Sequence, residues 1–538
     1  MNGKLLYLKP NLVMEPLVDR WYAWSHLISP ATAAMNITGR HMTIMESYLM
    51  APQLHAEAVL NPKLRGGPFM DIPVQRVNEV KAVQDETLAN QQPLIKFSKA
   101  IKELDKLLQD EGKGFSLESL YAKVPEPLKG FVELYYDRHN NPGFRFFEPL
   151  LYESELYNKQ SQSIALWITN NDHRPFCLST PRLNEPDVLH LQIPFDHPGI
   201  DELARMKRTP RSLEYIKGLL GISDSESPLF ETFFTETPPP VYNKYLGDKV
   251  RMRYFGHACI LVETKDISIL VDPLISYYGY DSEVAHFSDG DLPDVIDYVL
   301  ITHNHQDHIL FETLLPLRHK IRNIIVPHTN SGKLEDPGLK LMFNNIGFDN
   351  VTAIDEMETV KFSDAAITGL PFTGEHSDMN ILTKACYFVQ IGNFKLVFLA
   401  DSRIVESALY KRIHKIVGNP DVMFLGMECD GAPLSWLYGP LLTKKLSREQ
   451  DNSRRLSGSD SEKGISLINI FNPKEVYVYA MGQEPWVEFI SSIKYTDESN
   501  PIIQSNKLIA YCKERDIIAE RLFGEKELLY DKAVEVMV

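Results

Sequence analysis

The 538-residue sequence predicts an α/β protein in two parts: a mixed α/β N-terminal domain, then a sandwich of β-sheets covered by helices. Three observations predict it. A helical apolar repeat lies in the first part. Three consecutive prolines interrupt the chain at 238–240. From about residue 248, short apolar runs recur between polar turns or helical segments.

In IKFSKAIKELDKLLQDEG, the residues Ile95, Phe97, Ile101, Leu104 and Leu108 recur at roughly helical spacing. A β-like run, HLQIPF, occupies 190–195, and the aromatic-rich FVELYYDRHNNPGFRFFEPLLY reads as core and interface rather than as a cofactor site. This part holds no motif for chemistry. Pro238, Pro239 and Pro240 cannot donate backbone hydrogen bonds and disfavour helix, so the boundary is placed there, with one domain at 1–240 and the other at 241–538. Beyond it the strand-like runs are VRMRYFG, CILVET, ISILVDP, YVLITH, NIIVPH, FKLVFLADS, VMFLGME and EVYVYAMG. One segment departs from this texture: LSREQDNSRRLSGSDSEKG (446–464) is polar and reads as a mobile surface loop.

Composition narrows the function classes. The formal net charge is −16, from 72 acidic and 56 basic side chains, which argues against general binding to nucleic acid or to an anionic membrane. No stretch reaches the roughly 18 apolar residues of a membrane span. The N-terminal MNGKLLYLKPNLVMEP lacks the apolar run and cleavage site of a signal peptide. The five cysteines, Cys177, Cys259, Cys386, Cys429 and Cys512, are scattered and form no CxxC pair, so neither a disulfide framework nor a thiolate zinc site is expected; a reducing cytoplasm fits.

The chemistry lies where the run Tyr298-Val299-Leu300-Ile301-Thr302 ends in His303-Asn304-His305-Gln306-Asp307-His308. Positions two apart in extended chain face the same way, so His303 and His305 point into one cavity. Asp307 and His308 can turn toward a second metal position about 3.5–4 Å from the first. Asp401, after Lys395-Leu396-Val397-Phe398-Leu399, suits a carboxylate that bridges two metals. The turn Thr373-Gly374-Glu375-His376-Ser377-Asp378 offers another ligand. Asp272, closing Ile269-Leu270-Val271-Asp272-Pro273, reads as a residue that orients ligand histidines. His257 in GHAC is either a second such residue or a satisfied loop histidine.

GHACILVE, ILVDP, THNHQDH and LADS occur in the order and rough spacing of the metallo-β-lactamase superfamily, which the chain resembles over about 249–490. The resemblance implies an αββα sandwich with a two-metal cluster at one edge. Two departures stand out. Zinc hydrolases of this fold usually have a histidine in the third ligand slot, where GEH offers Glu375 beside His376. They also end with a histidine after a late strand, where this chain has Tyr477-Val478-Tyr479-Ala480-Met481-Gly482-Gln483.

Both departures, the chain length and the large N-terminal part resemble the CmlA-type diiron β-hydroxylases that act beside nonribosomal peptide synthetases in antibiotic biosynthesis. Their ligand pattern falls on His303, His305, Asp307, His308, Glu375 and Asp401. The run GMECDGAPLSWLYGPL (426–441) also looks like a feature of that subgroup, and places Glu428 at the active site as a catalytic residue. The resemblance implies an oxygen-dependent monooxygenase with two irons, dioxygen as co-substrate and an external electron donor. Its substrate would be an amino acid held as a thioester on a carrier domain. A homodimer built partly through the N-terminal domain, which would also govern substrate access, is implied too.

The donor set agrees: nitrogen and oxygen without sulfur favours iron over zinc, although zinc accepts the same ligand types. A missing late histidine leaves a coordination position open for dioxygen. The alternative is a zinc-dependent hydrolase of the same fold. Carrier domains are usually acidic, so the basic cluster Arg205, Lys207, Arg208 and Arg211, with Arg454 and Arg455, is the expected docking surface.

Overall fold

The computed structural model describes residues 4–531 apart from 172, 241, 280, 281 and 363. Two seven-stranded sheets face each other. In the first, the order is Val351–Ile354, Ile324–Pro327, Tyr298–Leu300, Ser268–Val271, Ile260–Glu263, Val250–Tyr254 and Lys526–Tyr530. The second runs Thr359–Phe362, Ala365–Leu370, Cys386–Ile391, Phe394–Phe398, Val422–Gly426, Glu475–Tyr479 and Ile518–Arg521. All eight runs named from the sequence are strands of these sheets.

These strands form because β-branched and aromatic side chains suit a pleated surface that is buried on both sides. Ile260, Val262, Ile269 and Val271 pack across the sandwich against Ile367, Tyr387, Val389, Leu396 and Phe398. Outside the second sheet, Leu425, Val476 and Val478 pack on Leu467, Ile468 and Phe471 of the helix Ser461–Phe471 and on Leu508 and Cys512 of the helix Asn500–Lys513. The layers are therefore helix, sheet, sheet, helix.

The layer outside the first sheet is supplied largely by the N-terminal part. Its four-stranded sheet has the order Trp21–Tyr22, Leu12–Val18, Gln162–Ile168 and Leu189–Leu191. Leu12, Met14, Phe97, Leu104 and Leu203 belong to the same apolar core as Leu270, Val299, Ile324 and the helix Phe311–Leu317. The amphipathic repeat forms the helix Gln92–Glu111, and it buries Leu94, Phe97, Ile101, Leu104 and Leu108; Ile95 sits at the edge of that face. The aromatic-rich segment is the hairpin Val132–Tyr136/Pro142–Phe146 with a short helix Glu148–Tyr152, and Phe146 packs on Phe97.

The polar stretch 446–464 is folded onto the body, contrary to its loop-like composition. It holds the helix Arg448–Ser453 and the strand Arg455–Leu456, which pairs with Ala432–Pro433. Ser457 and Ser459 are buried, and the Gly458 N–H donates to the Glu428 carbonyl at 2.7 Å. Backbone pairing fixes it where side-chain hydrophobicity is scarce.

Leu314, fully buried in the shared core, tests whether that core is one unit. Leu314→Ala is expected to cost about 2–5 kcal/mol. Far-UV circular dichroism and tryptophan fluorescence should report one common midpoint. Two separated transitions would show that the parts unfold independently.

Candidate metal centre

The site is built where strands of both sheets end. From the first sheet, Asp272 follows Ser268–Val271 with a left-handed backbone, φ 39°. Its Oδ1 accepts the Thr302 N–H at 2.8 Å, and its Oδ2 accepts the Thr302 hydroxyl at 2.6 Å and lies 2.8 Å from His308 Nδ1. Asp272 thus fastens the loop after Tyr298–Leu300 and turns the opposite nitrogen of His308 inward, as expected of an orienting carboxylate. From the second sheet, Asp401 follows Ala400, itself at φ 45°. A Cβ on Gly426 would stand 2.4 Å from the Ala400 oxygen and 2.8 Å from Asp401 Oδ1, so only glycine lets this strand pass.

All six side chains singled out in the sequence meet here. His303 Nε2 lies 3.2 Å from His305 Nδ1, and His305 Nδ1 lies 2.9 Å from Glu375 Oε1. His308 Nε2 lies 3.1 Å from Asp401 Oδ2, and His303 Nε2 lies 3.8 Å from the same oxygen. Asp307 Oδ2 is 4.0 Å from His308 Nε2. The ligand-type atoms of His303, His305 and Glu375 fall within 4.8 Å of one another, and so do those of His303, His308 and Asp401. Two metal positions sharing one edge suit this layout. Glu375 stands at φ 52° after Gly374 at φ 78°, a turn that aims the carboxylate inward while His376 Nδ1 meets its other oxygen at 2.7 Å.

His257 resolves into an orienting role. Its Nδ1 accepts the Gly482 N–H at 3.1 Å, so in the neutral ring Nε2 carries the proton. That nitrogen faces Asp307 Oδ2 at 3.3 Å, a close approach without full hydrogen-bond alignment. Tyr438, which no motif singles out, places its hydroxyl 3.2 Å from His305 Nε2 and so fixes that ring with Nδ1 inward.

The electrostatics fit bound cations. Asp401 Oδ1 is buried without a hydrogen-bond partner, while Glu375 Oε2 meets only His376 Nδ1. Burial opposes charge on His308, yet Asp401, Asp307 and Asp272 hold its pKa well above the ordinary histidine value. Burial pushes the Asp401 carboxyl up, against the pull of His308. A nitrogen/oxygen donor set with an unmet carboxylate oxygen is one that metal ions complete.

A cavity of about 420 Å³ opens above the cluster, walled by Trp436, Leu437, Ala480, Met481 and Ile493 among others. Ala480 and Met481 follow the late strand Glu475–Tyr479, where no histidine stands. Glu428 lines the same cavity; its Oε2 accepts the Gly431 N–H at 2.6 Å and its Oε1 the Tyr495 hydroxyl at 3.1 Å. Burial pushes its carboxyl up to about 7.

The basic cluster expected to dock a partner is largely spent inside the molecule. Lys207 pairs with Asp289 at 2.7 Å, Arg205 with Glu202 at 2.6 Å and Arg211 with Glu202 at 3.8 Å, while Arg208 donates to the Gly290 carbonyl at 2.7 Å. Arg454 donates to the Ser377 carbonyl.

Because the folded pKa of Glu428 is raised, its contribution is present below about pH 4.5 and lost as pH rises through about 7. The loss is at most about 3 kcal/mol, since the carboxyl keeps some exposure to the cavity. Glu428→Gln should therefore flatten the fall in stability between pH 5 and pH 8, measured by denaturant midpoints. An unchanged slope would contradict the raised pKa.

Residues 7–238 match the family model described as a diiron non-heme beta-hydroxylase N-terminal domain, and residues 268–432 match a beta-lactamase superfamily domain. The chain is 36% identical over 531 residues to the 4-amino-L-phenylalanyl-[CmlP-peptidyl-carrier-protein] 3-hydroxylase of Streptomyces venezuelae, covering 97% of this chain and 99% of that one. The crystal structure of CmlA, a diiron beta-hydroxylase from Streptomyces venezuelae, superposes with a TM-score of 0.91 at 35% identity, over 97% of this chain and 99% of that one. By contrast, a metal-dependent hydrolase of Christiangramia forsetii is 28% identical over 142 residues, 24% of this chain and 61% of the relative. The chain belongs to the CmlA-type family of diiron non-haem β-hydroxylases within the metallo-β-lactamase superfamily.

Proposed function

We propose that this protein hydroxylates the β-carbon of an amino acid held as a thioester on the carrier domain of a nonribosomal peptide synthetase. The observation that carries the reading is the set of three imidazoles and three carboxylates at the floor of a closed-walled cavity, with Ala480 and Met481 in place of a further histidine. In this reading His303, His305, Asp307, His308, Glu375 and Asp401 would together hold two irons. Two irons in such a site supply reductive activation of dioxygen. Overall, one oxygen atom enters the Cβ–H bond and the other leaves as water, consuming two protons and two electrons from an external donor.

The chain's own residues do the rest. Asp272, Thr302 and Tyr438 hold the imidazoles in register, and His257 steadies Asp307. Trp436, Leu437, Met481 and Ile493 exclude water from the reacting carbon. Glu428, whose carboxyl is pushed up to about 7 at the cavity wall, is the catalytic group placed to deliver one of the two protons that the reaction consumes. Residues 1–240 govern substrate access and assembly into a homodimer, and residues 241–538 carry the metals, in a cytoplasmic enzyme. Among the described residues no helix is long and apolar enough to cross a membrane.

The test is to reduce the iron-loaded enzyme under argon, admit air and supply a panel of loaded carrier domains. Gain of one oxygen atom on the acyl group is expected, with about two irons per chain. Stoichiometric zinc in active enzyme, with hydrolysis and no oxygen uptake, would establish the zinc hydrolase instead.

Glu375 is assigned as ligand, with His376 as its supporting neighbour. Glu375→Ala should lose iron outright, whereas His376→Ala should weaken binding by about 10–100-fold at most. Metal analysis giving the reverse ranking would exchange the two roles.

A further inference from the structure

The cavity is polarised along its length. Asp307, Glu375 and Asp401 lie at its floor, with Glu428 on the wall. At its exposed rim stand Lys63 and Arg65, in the turn beyond the helix Pro52–Leu60, and Arg455 from the strand Arg455–Leu456. Arg455 donates to the Asp430 carbonyl at 2.5 Å, to Asn452 Oδ1 at 3.3 Å and to the Gly431 carbonyl, so its charge meets no carboxylate. Neither Lys63 nor Arg65 pairs with a carboxylate among the described residues, unlike Arg205, Lys207 and Arg211. The rim turn is pinned, because Trp436 Nε1 in the cavity wall donates to the Gly66 carbonyl at 2.8 Å. In a chain of net charge −16, three cations without a carboxylate partner around one opening invert the local field.

We propose that Lys63, Arg65 and Arg455 bind the phosphodiester of the carrier's phosphopantetheine arm. This rests on the carrier-bound reading given above. An aminoacyl thioester on such an arm carries an α-amino group, cationic when protonated, at its reacting end and an anion at the phosphodiester that joins the arm to the carrier. With the acyl group at the metal floor, the anion falls at the rim. Arginine forks bind two phosphate oxygens, and lysine adds a point charge. The contact sets how deeply the arm enters, and therefore which carbon meets the metals.

The experiment uses iron-loaded, full-length enzyme and one aminoacyl thioester in three forms: on the carrier, on phosphopantetheine, and on pantetheine lacking the phosphate. Wild type should prefer phosphopantetheine over pantetheine by about tenfold or more in kcat/KM, the scale of one charge-assisted hydrogen bond, expressed chiefly in KM. The preference should shrink with added salt. In the Lys63→Ala/Arg65→Ala double variant the ratio should fall toward one, with iron content and circular dichroism as wild type. Arg455→Ala also removes the ties to Asp430 and Gly431, so Arg455→Lys is the companion variant; it should reduce the preference in part.

Equal use of both small substrates by wild type, or a preference that survives in the double variant, would overturn the phosphate assignment. If the double variant loses only its preference for the whole carrier over phosphopantetheine, the cations read the carrier's acidic surface and the phosphate assignment is again overturned. If wild type hydroxylates none of the three forms, the carrier-bound reading itself fails, and this inference falls with it.

Discussion

Carboxylates buried where the two sheets meet set the terms for the rest of the molecule. Taking a carboxylate out of water costs several kcal/mol after relaxation unless it is fully compensated. Asp272 is compensated: the Thr302 N–H, the Thr302 hydroxyl and His308 surround it, and its place is structural. Asp401 is not, since its Oδ1 is buried without a partner, and Glu375 meets only imidazoles, His305 Nδ1 at 2.9 Å and His376 Nδ1 at 2.7 Å. That contrast separates carboxylates that hold the loop from carboxylates that face a cation. The imidazoles follow the same division. His303 and His308 spend Nδ1 on Thr302 and Asp272, His305 spends Nε2 on Tyr438, and the other nitrogen of each faces inward.

Holding so many polar groups at one edge requires unusual backbone. His257, Asp272, Glu375, Ala400 and Ala480 all have positive φ. Such residues cost of order 1–3 kcal/mol each and persist only where surroundings over-determine them. Here they brace one another. The Ala480 N–H donates to the His257 carbonyl at 2.8 Å, the Ala400 N–H to the Tyr479 hydroxyl at 3.0 Å, and the Gly426 N–H to the Ala400 carbonyl at 2.9 Å. The strain is carried by strand ends that the sandwich fixes from both sheets.

Much of this was legible in the residues. Runs such as ISILVD and FKLVF declare buried strands because β-branched and aromatic side chains have few other uses in that density. Edge strands such as Thr359–Phe362 and Ile518–Arg521, half exposed and mixed in polarity, do not. The metal residues were legible because four of them are contiguous. Tyr438 was not, since its tie to His305 spans 133 positions and phenols are common in cores. The cluster at 205–211 misled for a related reason: sequence shows positive charges gathering but not Asp289 and Glu202 waiting to neutralise them. The cations without a carboxylate partner at the cavity mouth are split between positions 63, 65 and 455, which only the fold brings to one opening.

The shared apolar core carries a consequence for how such enzymes diversify. The helix Phe311–Leu317, directly after the metal-bearing loop, lies in the same core as Leu12 and Met14 near the chain start, and Ser25 Oγ donates to the Asn304 carbonyl at 3.4 Å inside that loop. A crossover that joined the front half of one relative to the back half of another would bring together side chains shaped against different partners, and close-packed interiors resist that exchange. The two halves are therefore inherited together. A change in pocket shape is then open to single replacements along the cavity wall rather than to exchange of halves.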